Sequence, residues 1–558
     1  MRVLLCTLNA KYIHVNTAIR LLYSLNKDSF PGLEWKEFTI KEDPDHIASD
    51  CAAYDIVAFS CYIWNITQTL EVCRRIKEKN PTCKILLGGP EVSYEYEEIL
   101  NLPCIDFIIA GEGEIPFSQF LSNFPKIEFI KGLAYKTDGK ISFLPSAETF
   151  DLKNYEHIMP YAYDDPSTLA NRVLYIETSR GCPYKCEFCL ASLDNAVRYL
   201  PDKYIKNTLL YLMQHGKTIK FLDRTFNIKK NFTIDIFEFI LKNRREGNIF
   251  QFEITADILH PDIMAFILEK VPVGIFRFEI GIQTVNQKAN LDVKRKQNFL
   301  KTKEIILKLQ HKIEMHLDLI VGLPFDTITE IKYSFEEVFR LFAPELQLGF
   351  LKFLKGTPMR DKAIHEYEFD PMPPYTLIKS KYLSESELQS IVCLEHALEI
   401  YWNRKRAIHL LRYVALKYSS FDFLMGLGIY FGTRRPYHDY TLNDIYQIAA
   451  EYIRTECEDD PVLLQLLTLD HVLQFKSKPG TTFLAEDESR WRDRMIEAFH
   501  STKGKFRHMA LPLNISLKQL EENNLVEETK HMLLVSFNGI DRPTYFSLSQ
   551  ENLMEVNT

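Results

Sequence analysis

No stretch of this 558-residue chain reaches the ~20 apolar residues that a membrane helix needs. The first apolar run, Val3–Leu8, is too short for the hydrophobic region of a signal peptide and has the length of a first β-strand. Basic charge is not in excess. The net charge of -8 argues against a general nucleic-acid binder. The eleven cysteines lack the spacing of a secreted disulfide framework, which fits a reducing compartment. No Gly-x-Gly-x-x-Gly follows the first strand, so a dinucleotide site lacks its main signal. Neither a fixed-period repeat nor a low-complexity tract is present. These absences predict a cytoplasmic protein, and 46% hydrophobic with 25% charged residues is a soluble globular composition. The length is too great for one core and predicts about three domains.

What the chain does have is concentrated in Glu177-Thr-Ser-Arg-Gly-Cys182-Pro-Tyr-Lys-Cys186-Glu-Phe-Cys189. Three cysteines stand at i, i+4 and i+7, directly after a short apolar strand, Val173–Ile176. Three thiolates in one loop can each hold one iron of a cubane cluster and leave the fourth iron open to a ligand. A zinc site would want a fourth ligand and usually a second knuckle, and the sequence offers none. Cys6, Cys51, Cys61, Cys73, Cys83 and Cys104 are scattered, mostly in apolar runs. Three ordinary core cysteines would not explain Gly181, Pro183 and the strand–loop setting.

With Phe188 before its third cysteine, this loop resembles that of the radical S-adenosylmethionine superfamily. The resemblance implies a 4Fe-4S cluster on Cys182, Cys186 and Cys189. It also implies S-adenosylmethionine on the open iron, with Phe188 beside the adenine.

Residues 1–130 alternate strand and helix, and five βα units predict an open, doubly wound sheet. Ligands of such sheets lie outside the carboxyl ends of the strands. Unusual residues gather there: Asn9 to Asn16, Ser60-Cys-Tyr-Ile-Trp-Asn65, Gly88-Gly89-Pro90-Glu91 and Gly111-Glu112-Gly113-Glu114. Glycine lets a backbone approach a large flat ligand, although tight βα turns use the same residue. The order of these motifs ahead of the cysteine loop resembles the cobalamin-binding subgroup of the superfamily. That likeness implies a flavodoxin- or Rossmann-like domain. Its corrin would lie against Asn9, Ser60, Tyr62, Trp64, Asn65, Gly88, Gly89, Pro90, Glu91, Gly111, Glu112, Gly113 and Glu114. The Asp-x-His-x-x-Gly signature, which supplies an axial histidine in many cobalamin proteins, is absent, and His14 lacks its flanking pattern.

Residues 131–168 read as a connector with a hairpin around Asp138-Gly139. From 169 to 374 six further βα units predict an open, partial barrel, too few for a closed eight-stranded one. Asp223, Asp257, Glu279, Gln283 and Asp318 fall at its strand ends, where buried carboxylates need partners. By resemblance to family strand-end motifs, Asp223, Glu279 and Gln283 approach S-adenosylmethionine, and the Gly322 backbone lies on its adenine side. Residues 375–558 read as a mainly helical domain, with a terminal hairpin of His531–Phe537 and Thr544–Leu548. This part looks like the uncharacterised tail of one group of cobalamin-dependent radical proteins.

The resemblance implies a cobalamin-dependent radical enzyme that methylates an unactivated carbon of a small molecule. An electron donor such as flavodoxin or ferredoxin would serve it. A cobalamin-using rearrangement enzyme, a tRNA methylthiotransferase and a non-catalytic corrin or cluster sensor stand as alternatives at this point.

Overall fold

A computed structural model describes residues 1–145, 149–480, 482–484 and 507–548. In the first domain the parallel strands β1 (Val3–Asn9), β2 (Leu33–Thr39), β3 (Ile56–Ser60), β4 (Lys84–Gly88) and β5 (Phe107–Ile109) lie in the order β2-β1-β3-β4-β5. Every residue of β1 and β3 is buried, as expected of strands covered on both faces. The sheet does not stop at residue 130. The hairpin β6 (Leu133–Thr137) and β7 (Lys140–Phe143) adds two antiparallel strands beside β5, making seven. The apolar Leu133 and Ala134 of β6 are fully buried, which draws the hairpin onto the sheet edge.

The second domain is a six-stranded, all-parallel sheet in simple sequential order. It comprises β8 (Val173–Ile176), β11 (Thr218–Phe221), β12 (Ile249–Glu253), β13 (Phe276–Gln283), β14 (Glu314–Val321) and β15 (Glu345–Phe350). Between the first two, β9 (Ser179–Arg180) and β10 (Arg198–Tyr199) pair across the cysteine loop. Alternation sets the two faces. Phe276, Phe278, Ile280 and Ile282 of β13 are buried in the apolar core, while Arg277, Glu279 and Gln283 take the other, polar face.

β8 is the edge strand, and the first domain and connector cover that edge. Val173 N donates to Ile13 O at 2.7 Å. The Tyr161 hydroxyl donates to Tyr175 O at 2.6 Å and accepts from Tyr175 N at 3.0 Å. Nearby, Arg20 is 1% exposed and sits between Glu37 (2.7 Å) of the first domain and Asp164 (2.6 Å) of the connector.

Helices at Glu385–Ala397, Ile408–Lys417, Ser420–Arg434, Leu442–Glu456 and Pro461–Val472 share one continuous apolar core with the second domain. Glu336 of the barrel accepts from Ser419 and Ser420 hydroxyls, both at 2.8 Å, and from Phe421 N at 2.9 Å. A three-stranded antiparallel sheet comes next. It includes Arg507–Ile515 beside the two expected hairpin strands. The tail of the expected 375–558 domain lies outside the described residues. No helix of the described residues is long and apolar enough to cross a membrane.

Candidate cofactor cleft between the two α/β domains

The cysteine loop leaves β8 and is pinned on both sides. Cys182 N donates to Asp194 O at 2.9 Å, Glu187 N to Val293 O at 3.0 Å, and Met359 N to Glu187 O at 3.2 Å. Gly181 has φ +87°, and a Cβ there would lie 2.4 Å from Ala196 O, so no other residue fits without moving the loop. Cys182 and Cys186 are buried, Cys189 is half-buried, and none forms a disulfide. Burial pushes the Cys182 and Cys186 thiols up, and Arg295, with Nη1 3.8 Å from Cys186 Sγ, pulls the latter down. Among the described residues no three His, Cys, Asp or Glu side chains are grouped as ligands of a single ion. A cubane takes one thiolate per iron, and three thiols in one pinned loop, two of them buried, are a donor set that fits it. Phe188 packs against the barrel core.

At the barrel's strand ends most predicted polar residues already have protein partners. Asp223 is buried and accepts from Thr178 N (3.0 Å), Thr178 Oγ1 (2.7 Å) and the Ser179 hydroxyl, and burial lifts its carboxyl to about 6. Both Glu279 oxygens accept from Lys220 Nζ at 2.7 Å. His316 Nε2 lies 3.0 Å from Asp318. Gly322, at φ +99°, lies under Leu377, whose Cδ2 would be 2.2 Å from an added Cβ. Two acceptors differ. Gln283 Oε1, on a residue with φ +68°, and Asp257 Oδ1 are buried without a partner.

The first domain's strand ends face this loop. Asn65 holds β1 and β3 together through Nδ2 to Leu8 O (3.0 Å) and Ser60 O (3.1 Å), while its Oδ1 accepts from Tyr62 N at 2.8 Å. Asn9 Nδ2 donates to His14 O at 3.0 Å. Tyr62 and the half-exposed Trp64 stack with ring centroids 4.4 Å apart. Gly89, at φ +112°, would put a Cβ 2.5 Å from Cys61 O. Gly88 and Gly111 would put theirs in open or loosely filled space.

A cavity of about 680 Å³ opens between the domains. Asn9, His14, Tyr62, Trp64, Pro90 and Glu91 line one side, and Tyr175, Glu177, Arg180, Gly181 and Leu190 the other. It shares Tyr62, Pro90, Glu177 and Arg180 with a narrower slot of about 290 Å³. The slot runs between Ser60, Gly88, Gly89, Gly111, Glu112, Gly113 and Glu114 and an apolar wall of Leu5, Leu21, Leu86, Ile109 and Phe117. Every residue expected to meet the corrin, except Asn65, thus lines one of two adjoining cavities. Phe188, Asp223, Glu279, Gln283 and Gly322 line neither.

Sequence reasoning missed the charges that tie this cleft. Arg180 Nη1 lies 2.7 Å from Glu114 and 3.3 Å from Glu112, and its Nε lies 3.0 Å from Glu177. Arg198 also pairs with Glu112, and Tyr155 OH donates to Glu114 at 2.6 Å. Tyr375 OH donates to Glu91, whose buried carboxyl is raised by desolvation. His14 Nδ1 lies 2.7 Å from Tyr175 OH. Glu91, Glu112, Glu114 and His14 were singled out in the sequence, but not as partners of these residues; of the two arginines only Arg180 carried a signal, its place beside Gly181 and Cys182.

Comparison with known proteins gives three consecutive matches: the B12 binding domain family at residues 32–121, the Radical SAM superfamily at 176–338, and a protein family of unknown function, DUF4080, at 363–538. The chain carries a B12-binding domain, a radical SAM domain and a DUF4080 domain in that order, the first two being those of cobalamin-binding radical S-adenosylmethionine enzymes. Their cofactors, and those of this radical S-adenosylmethionine protein, are a 4Fe-4S cluster, S-adenosylmethionine and cobalamin. An uncharacterized methyltransferase of Pyrococcus horikoshii is 26% identical over 330 residues, 56% of this chain and 69% of that one. The cobalamin-dependent radical SAM methyltransferase TokK of Streptomyces tokunonensis is 26% identical over 198 residues, 31% of this chain and 28% of its own length. The chain therefore spans under a third of that relative. In fold it is similar to the cobalamin-dependent S-adenosylmethionine radical enzyme OxsB solved with aqua-cobalamin, with TM-score 0.59, 14% identity, and 84% of this chain and 80% of that one covered.

Proposed function

We propose that this protein is a cobalamin-dependent radical S-adenosylmethionine methyltransferase acting on an unactivated carbon of a small molecule. The observation that carries the reading is the shared cavity: Gly181 and Leu190, which flank the three cysteines, line the same 680 Å³ space as Asn9, Tyr62, Trp64, Pro90 and Glu91 at the first domain's strand ends. Cavities between domains are favoured ligand sites. Bound there, the cluster and S-adenosylmethionine supply a carbon-centred radical, and cobalamin carries the methyl group.

The chain's own work is placement. Cys182, Cys186 and Cys189 hold the cluster, and the Arg295 guanidinium lends positive charge beside Cys186. The unpaired oxygens of Gln283 and Asp257 suit an ammonium or a ribose hydroxyl. Tyr62 and Trp64 present a flat face, and the glycine-lined slot takes an apolar appendage of the corrin. Arg180 fastens the Glu112–Glu114 loop to the cysteine loop, which fixes the spacing of the two reacting groups.

The test is anaerobic reconstitution with iron, sulfide and hydroxocobalamin, then turnover with methyl-labelled S-adenosylmethionine and small-molecule extract. S-adenosylhomocysteine and 5'-deoxyadenosine should form in comparable amounts, with label in a new product. Cys186→Ala should lose both the cluster absorbance and 5'-deoxyadenosine. Steady 5'-deoxyadenosine with label recovered only in methionine rules out methyl transfer.

A further inference from the structure

The most exposed large apolar side chains among the described residues are Leu300 (77%) and Leu291 (76%). They line one surface hollow of about 670 Å³ together with Tyr333, 61% exposed. Solvent-facing leucines this bare, gathered in one place, mark a contact surface rather than a scattered residue of composition.

The hollow is lined by two cations, Arg295 and Lys296, and one acid, Glu337. The segment 285–303 that builds most of it holds six cations, Lys288, Lys294, Arg295, Lys296, Lys301 and Lys303, against one acid, Asp292, in a chain whose net charge is -8. Lys294 pairs with Glu187 and Lys303 with Glu337, and Lys296 and Lys301 are exposed.

The hollow backs onto the cysteine loop. Arg295 lines it and reaches to 3.8 Å from Cys186 Sγ, while Val293 O accepts from Glu187 N at 3.0 Å. No residue lines both this hollow and the cleft between the domains. The face therefore gives an approach to the cluster position that leaves the cleft free for its ligands.

Electron tunnelling falls steeply with distance, so a carrier must come close to the cluster and then leave. Small interfaces with a few apolar contacts and complementary charge do this. We infer that the Leu291–Leu300 face docks a small acidic one-electron carrier protein, a flavin or iron–sulfur protein. One electron passes from the reduced carrier to the oxidised cluster at Cys182, Cys186 and Cys189; the carrier is oxidised by one electron, and no bond forms or breaks. The inference rests on the cluster reading above.

The test uses the reconstituted holoenzyme and reduced flavodoxin as the probe. Cluster reduction is followed by stopped-flow absorbance, with dithionite as a small chemical reductant for comparison. Lys296→Glu with Lys301→Glu, and separately Leu291→Ser with Leu300→Ser, should slow carrier-driven reduction about tenfold at low salt. Dithionite-driven reduction should stay as in the parent. The parent's carrier-driven rate should fall with added salt. Carbodiimide cross-links to the oxidised carrier should map to Lys296 and Lys301. Unchanged carrier-driven rates in both variants, or cross-links confined to another face, overturn the inference alone. So does a parent dimer that the leucine variant splits with carrier-driven reduction intact, which would make this face an interface between copies. A parent whose cluster absorbance does not respond to dithionite overturns the cluster reading and this inference with it.

Discussion

Of the arginines that join the first domain to the rest of the chain, Arg20 and Arg180 both do so by sitting between carboxylates. Arg20 is held by Glu37 and Asp164, touches neither cavity, and stacks its guanidinium 4.6 Å from the centre of the Trp35 ring. Arg180 is held by Glu112, Glu114 and Glu177, lines both cavities, and stands two residues before Cys182. The chemistry is the same and the placement is not. A closed, dry ion pair contributes to stability only through what its removal leaves behind. One that lines a binding cleft also sets the geometry of whatever binds there. Arg20 is therefore a fold residue and Arg180 a positioning residue.

The largest effect expected from breaking this comparison is at Arg20. Arg20→Ala leaves the buried Asp164 carboxylate without its cation, while Glu37 keeps Arg172 at 2.8 Å, and should cost about 3–5 kcal/mol in chemical denaturation, with normal iron and corrin content in the folded fraction. Arg180→Ala should cost less, about 1–3 kcal/mol, but should lower iron and cobalamin retained after reconstitution, and Arg180→Lys should restore part of both. If the two alanine variants lose cofactors equally, the distinction fails.

A third clamped cation sharpens the comparison because it can be discharged. His409 lies 2.6 Å from Asp470 and 2.9 Å from Glu521 in the C-terminal domain. Burial opposes its charge, but the two carboxylates outweigh burial and raise it to about 10. A folded pKa above the unfolded value stabilises fully below the unfolded pKa and is lost as pH rises through the folded one. Stability should therefore fall by about 1–2 kcal/mol between pH 7 and 9, and His409→Gln should flatten that fall. An equal slope in the variant would mean another group titrates.

The smallest effect is at Gly88, where a side chain meets only Ile109, at 3.9 Å, and the backbone is not left-handed. Gly88→Val should fill the slot and weaken cobalamin binding about tenfold, or ~1.4 kcal/mol, with iron content and thermal unfolding close to the parent's. Equilibrium titration with hydroxocobalamin reads it, and unchanged affinity would move the corrin off the slot.

Much of the architecture was legible because the strands are continuous apolar runs that end in glycine or polar residues, and the cysteine loop carries its own spacing. What escaped reading depends on distant partners. The Ser420–Arg434 helix hides behind Gly426, Gly428 and Gly432, which lower helix propensity. They are there because neighbours crowd them: a Cβ on Gly428 would lie 2.0 Å from Cys393 O, and one on Gly426 2.3 Å from Tyr452 OH. At the cleft, Glu112 and Glu114 were legible as unusual residues, but not as partners of Arg180 and Arg198, which lie 66 to 86 positions further along the chain. Ion pairs across domains leave no periodicity to read.

The Tyr161 hydroxyl on the edge of β8 has a consequence for how the chain can be divided. A half-barrel has a raw flank, and unpaired backbone groups there invite another chain to add a strand. Here one phenol and the Ile13 carbonyl stand in for the missing neighbour. A fragment beginning at β8 would lose both and bare a sticky rim. The barrel is thus not a portable module: cut from its N-terminal half, it should self-associate before its chemistry could be measured.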